Sequence, residues 1–157
     1  IPESYLVRLR EMLKAGSRII LGLVGPPGAG KSTVGLALRD AFRDISQIVP
    51  MDGFHLANVE LSRLGRAGRK GAPDTFDVAG LTALLRRCRA EASGVIYAPA
   101  FDRSLEEPIA GAIPVAPEHD IENAKLASPV CMTVARVLLS TTGFQVREST
   151  FGRPFFQ

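Results

Sequence analysis

Residues 18–33 read RIILGLVGPPGAGKST, and the fold class follows from them. Arg18 to Val24 is a short apolar run bounded by glycine, the pattern of a buried strand rather than a helix. Residues 25–32, GPPGAGKS, fit Gly-x-x-x-x-Gly-Lys-Ser/Thr, and Thr33 follows. Beyond them Val34, Leu36, Ala37, Leu38 and Phe42 give a helix starting near Lys31. With this composition such a match arises by chance in about 0.4% of chains of this length, and the strand before and helix after make coincidence rarer still. Each residue type has a physical task. Gly25, Gly28 and Gly30, with the small Ala29, let the backbone curl until successive N–H groups surround a phosphate. Lys31 brings a point charge to the terminal phosphates, and the Ser32 hydroxyl is a ligand for Mg²⁺. The helix beginning at Lys31 adds the positive end of its dipole, with Thr33 in its first turn.

The rest of the chain is consistent with one compact domain over residues 1–157. Apolar residues are 46% and charged residues 22%, close to the globular average and far from a disordered chain. No run of 18 apolar residues occurs, so no membrane span is expected. The net charge is +3, with 15 arginines and 4 lysines scattered rather than in blocks. This suits small anionic ligands and argues against nucleic acid as a partner. Cys88 and Cys131 are too few for a disulfide framework or a four-ligand zinc site. With no signal peptide, a reducing cytoplasm is the expected location.

Leu6, Leu9 and Leu13 predict a first helix ending at Gly16. Ile45–Met51 reads as a second strand and Gly94–Ala98 as a third, with a short strand near Ala112–Val115. Between them, residues 52–74 read as loop with one helical stretch near Leu56–Leu64. Asp77 is the N-cap of a helix over Val78–Glu91, whose Leu81, Leu84, Leu85 and Cys88 share a face. Alternating strands and helices predict an α/β fold around a mainly parallel sheet with right-handed crossovers.

In such a sheet ligands bind beyond the carboxyl ends of the strands. Asp52, in Met51-Asp52-Gly53-Phe54-His55, follows the second strand and so shares an edge with the phosphate loop. A carboxylate there accepts a proton from a substrate hydroxyl or holds Mg²⁺ through water, unless it merely caps a turn. His55 reads equally as a substrate contact or a packed histidine. Arg63, Arg66, Arg69 and Lys70 put four cations in eight residues, either a loop over phosphates or a solvated basic loop. Asp102 and Arg103 follow the third strand on the same edge, as ligand contacts or as an ion pair between loop neighbours.

Together GPPGAGKST, MDGFHL, GRKGAPDTFD and YAPAFDRSLEEP resemble the P-loop kinases grouped with uridine kinase, bacterial pantothenate kinase and phosphoribulokinase. They look most like bacterial nucleoside/nucleotide-kinase-like proteins described as "putative fructose transport system kinase". The resemblance covers roughly residues 15–119. It implies a three-layer P-loop NTPase fold, ATP and Mg²⁺ as cofactors, and transfer of the γ-phosphate to a hydroxyl of a small molecule. It implies that Gly25, Gly28, Ala29, Gly30, Lys31, Ser32 and Thr33 bind the nucleotide, with Ser32 on the metal. By the same likeness Asp52 activates the acceptor hydroxyl, with Lys31 as its catalytic partner. Phe54, His55, Arg69, Lys70, Phe76, Tyr97, Asp102 and Arg103 would then border the acceptor pocket.

After His119 the sequence departs from that group. Residues 120–157 contain no Glu-Gly pair ending an apolar strand and no arginine-bearing lid, although Val134–Leu139 could supply a strand. The fold is therefore expected without the usual lid. Two functional readings follow: an ATP-dependent small-molecule kinase, and a truncated homologue that binds nucleotide with impaired turnover. A GTPase-type switch is disfavoured, because no Asn-Lys-x-Asp motif occurs. The acceptor (sugar, nucleoside or pantothenate-like) is left open by the residues, as is a homodimer.

Overall fold

The structure is a computed structural model that describes residues 1–14, 18–25, 28–90, 94–116 and 130–136. Among the described residues there are four α-helices: α1 (Glu3–Leu13), α2 (Lys31–Ala41), α3 (Asn58–Arg63) and α4 (Val78–Ala90). The strands are β1 (Ile19–Gly25), β2 (Ser46–Pro50), β3 (Ile96–Asp102), β4 (Glu107–Val115) and β5 (Val130–Arg136). Among the described residues no helix is long and apolar enough to cross a membrane.

β5 lies between β1 and β2 and runs parallel to both. The sheet is therefore completed from the part of the chain that departs from the kinase-like pattern. Val134–Arg136 belongs to that strand, and residues 137–139 lie outside the described residues. The third expected strand goes elsewhere. β3 pairs antiparallel with β4 in a separate two-stranded ribbon. The reason is local. Arg103–Glu106 makes a tight reversal in which Glu106 adopts φ +53°, so β4 is the first partner within reach. Pro99, which has no N–H, sits where the register slips between Ala98 and Ala100.

Apolar periodicity places two cores. Leu9 and Leu13 of α1 meet Leu21 and Leu23 of β1 and Leu38 and Phe42 at the end of α2. On the other side Ile20 of β1 packs with Leu84 and Cys88 of α4, Val49, Phe54, and Ile96, Ala98 and Val115 of the ribbon. Each fully buried aliphatic side chain is worth about 1.5–3 kcal/mol. β1 is less enclosed than its apolar run suggests, since Gly22 and Val24 are exposed. Arg18 is buried, donating to the carbonyls of Cys88 at 2.8 Å and Ala116 at 2.9 Å. It thereby joins the last turn of α4, where a cation suits the helix dipole, to the end of β4.

Past β2 the chain makes one 3₁₀ turn over Met51–Phe54, and there it passes close to the ribbon. A Cβ on Gly53 would collide with the Pro99 carbonyl, lying 2.7 Å from its carbon. Gly53→Ala is expected to destabilise by about 1–3 kcal/mol. Gly22→Ala, with nothing within 4 Å of the new methyl, is expected to be neutral or stabilising by up to about 1 kcal/mol. Urea midpoints of the two variants check the contrast.

Candidate active site

The phosphate loop leaves β1 at Gly25 and enters α2 at Lys31. Gly28 and Gly30 take φ of +78° and +76°, left-handed values that strain any residue with a Cβ. Gly30 is the residue before the first turn of α2, which carries neither a side-chain cap nor an acidic residue. The helix thus presents its positive end and the amides of Ser32 and Thr33 without a competing anion of its own. Lys31 Nζ donates to the Gly25 carbonyl at 2.8 Å, spanning the loop from its helix end to its strand end.

Asp52 sits in the turn after β2, its side chain 31% exposed, and its Oδ2 accepts a hydrogen bond from Arg103 at 2.5 Å. The Arg103 guanidinium lies 4.9 Å from the centroid of the Phe101 ring, and Lys70 Nζ lies 5.0 Å from the same ring. The His55 imidazole packs against Phe76 and Phe101 at centroid distances of 3.9 and 5.1 Å. Its Nδ1 is 2.7 Å from the Asp52 carbonyl. The backbone at His55 forms an antiparallel bridge with Phe76.

The four cations of the basic loop are each paired. Arg63 forks onto Glu60 at 2.7 and 2.8 Å, and Arg69 onto Asp74 at 2.5 and 2.6 Å. Arg66 joins the second pair at 3.2 Å. Lys70 donates to Asn58 Oδ1 at 2.7 Å and to the Glu106 carbonyl. Both Glu107 oxygens accept the Asn58 N–H at 3.0 Å, so the ribbon caps α3. The Arg69 guanidinium holds the Asp74 carboxyl below the usual aspartate range. The Ser104 hydroxyl, then the Leu105 and Ser104 amides, do the same for Asp102.

Several expected contacts are placed differently. Asp102 is turned into its own turn, accepting from Ser104 Oγ at 2.6 Å and from the Ser104 and Leu105 amides at 2.8 and 3.1 Å. Its neighbour Arg103 does not pair with it but crosses to Asp52. Arg69 is engaged by Asp74, and Phe54 is a core residue at 8% exposure. Tyr97 is exposed on the wall of a cleft of about 420 Å³ between α4 and the ribbon, floored by Gly53 and His55. His55, Lys70, Phe76 and Arg103 do gather near Asp52, around Phe101. Phe101, Asn58 and Glu107 were not singled out from sequence; the alternation Tyr97, Pro99, Phe101 is the signal that places Phe101 on one strand face. Asp77 caps α4 as expected, accepting the Gly80 N–H at 2.8 Å.

No family model matches the chain. A protein named "putative uridine kinase" from Schizosaccharomyces pombe is 36% identical over 123 residues, spanning 73% of this chain and 52% of its own length. The pantothenate kinase of Leifsonia xyli is 33% identical over 109 residues, spanning 65% of this chain and 33% of its own. The crystal structure of a "putative fructose transport system kinase" from Silicibacter sp. TM1040 superposes with a TM-score of 0.64. It is 31% identical and is matched over 82% of this chain and 63% of that one. The chain is related to the P-loop small-molecule kinases. It spans about half the length of the first of these relatives.

P-loop kinases in general use ATP and Mg²⁺. The residues here fit both. The left-handed glycines, the uncapped start of α2 and Lys31 form a cradle for phosphate. No group of three or more His, Cys, Asp or Glu able to hold a metal occurs among the described residues. Ser32, in the first turn of α2, would hold Mg²⁺ beside the bound phosphates, where the ion would supply charge neutralisation.

At a hundredfold excess of Mg-ATP over Kd, the domain should gain about 2.7 kcal/mol. Lys31→Ala is expected to remove most of that gain, read as the loss of the melting shift. The Asp102 carboxyl should titrate below the ordinary aspartate value of about 3.9. A folded-state pKa lowered in this way gives stability that is present above the unfolded value and lost as pH falls through the folded one. Ser104→Ala removes the largest cause, so the Asp102 midpoint in a carboxyl ¹³C NMR titration should rise toward the ordinary value.

Proposed function

We propose that this chain carries the nucleotide and acceptor sites of an ATP-dependent phosphotransferase acting on a hydroxyl of a small molecule. One observation carries it: β1 and β2 run parallel to the same strand, so the phosphate loop after Gly25 and Asp52 after Pro50 emerge at one sheet edge. Phosphoryl transfer needs little covalent help from the protein. It needs charge neutralisation and an aligned nucleophile.

Bound Mg-ATP supplies the transferable phosphoryl group and part of the charge neutralisation. Lys31 and the loop amides hold the phosphate tail, and their fixed dipoles oppose charge as it builds on the terminal oxygens. Asp52 accepts the proton of the acceptor hydroxyl. Its Oδ2 is engaged by Arg103, so in this reading the second oxygen takes the proton. The likeness to proteins named for uridine, pantothenate and a fructose transport system supports acceptors of the nucleoside, pantothenate or sugar type, each with a reactive hydroxyl. The departure of residues 120–157 from the kinase-like pattern supports a second reading, a nucleotide-binding chain with little turnover.

An ADP-release assay against nucleosides, pantothenate and hexoses separates the two. Turnover of about 1–100 s⁻¹ on any of them supports the kinase. Stabilisation by Mg-ATP with no ADP release supports the second reading. With an active acceptor, Asp52→Asn is expected to lower kcat by about 10²–10⁴ while nucleotide affinity changes little. Near wild-type turnover in that variant overturns the role of Asp52.

A further inference from the structure

Asp52 is held at both ends by a closed circuit of side chains. Its carboxylate pairs with Arg103 at 2.5 Å, and Arg103 lies 4.9 Å from the Phe101 ring. Phe101 packs on the His55 imidazole at 5.1 Å, and His55 returns to Asp52 through the main chain. The return contact is double. The Asp52 carbonyl accepts the His55 backbone N–H at 3.2 Å and lies 2.7 Å from His55 Nδ1.

A carbonyl oxygen only accepts, so Nδ1 is the donor and the neutral ring is the Nδ1–H tautomer. His55 is 9% exposed, and its imidazole lies against Phe76 at 3.9 Å. The surrounding backbone is secured without the ring. Asp77 N–H donates to Phe54 at 2.7 Å, and Leu56 N–H to Thr75 at 2.9 Å. Removal of the ring donor therefore leaves the segment in place and leaves the Asp52 carbonyl on the longer His55 backbone N–H bond alone.

We propose that His55 is a positioning residue for phosphoryl transfer, fixing the Asp52 peptide through Nδ1–H and so aiming its carboxylate at the acceptor hydroxyl. The proposal rests on the phosphotransfer reading above. It differs from the contact role that the sequence suggests for His55, because the ring acts through Asp52 and not on the acceptor.

Two substitutions divide the roles. His55→Asn puts an amide N–H where Nδ1 stood, whereas His55→Phe keeps an aromatic ring and loses the donor. With an acceptor that the wild type phosphorylates, His55→Phe is expected to lower kcat about 10- to 100-fold. The acceptor KM and the Mg-ATP melting shift should stay near wild type, and His55→Asn should recover most of the kcat. Wild-type kcat in His55→Phe overturns the proposal, as does an equal loss in both variants or a loss confined to KM. Long-range ¹⁵N NMR of the wild-type imidazole at pH 8 gives a second readout that needs no turnover. A protonated Nδ1 is expected, and an Nε2–H tautomer overturns the proposal. If the wild type phosphorylates no acceptor, the phosphotransfer reading fails, and the tautomer still reports whether His55 holds the Asp52 carbonyl.

Discussion

β1 and β2 reach one another only through β5, to which each is hydrogen-bonded in parallel register. Gly25 stands opposite Arg136, and Pro50 opposite Val134. That shared neighbour makes two segments separated in sequence finish at the same edge. Everything else at the site is secondary to it. The glycine loop forms from local backbone preferences, and a carboxylate in a 3₁₀ turn is unremarkable alone. Brought to one edge, they provide an anion cradle and a proton acceptor on a common rim, where α/β sheets bind ligands.

The charges around this rim are largely matched, and the matching sets shape more than stability. The pairs Arg63–Glu60, Arg69–Asp74 and Arg103–Asp52 are partly or mostly exposed, a setting in which ion pairs add little to folding. Their geometry does more. Arg66 and Arg69 draw the loop after α3 back onto Asp74, and Lys70 ties it to Asn58 and Glu106. Glu107 anchors α3 to the ribbon in turn. The loop, the ribbon and the Asp52 turn thus form one framework around Phe101, while Lys31 contributes the cation of the phosphate loop itself.

Phe101 shows why a site can be hard to read from residues alone. It carries no reactive group and sits in a strand of ordinary apolar character. Its weight comes from what surrounds it: an arginine, a lysine and an imidazole drawn from three separate segments. Arg18 is a parallel case in the core. At the head of an apolar strand, its guanidinium bridges carbonyls 70 and 98 positions away.

Features governed by near neighbours along the chain were legible in the residues. The strand–glycine loop–helix sequence of residues 18–42, the helical faces of α1 and α4, and the Asp77 cap depend on φ preferences and on spacings of three or four residues. The placement of Asp52 after the second strand followed from the same patterns. Pairings that close over long stretches were not legible. That the strand from residue 130 fills the middle of the sheet and that Arg103 crosses 51 positions to Asp52 depend on which surfaces meet once the layers pack. Strand pairing and salt bridging are satisfied by many partners of the same chemistry. Only the packed cores, by fixing which segments lie within hydrogen-bonding distance, select among them.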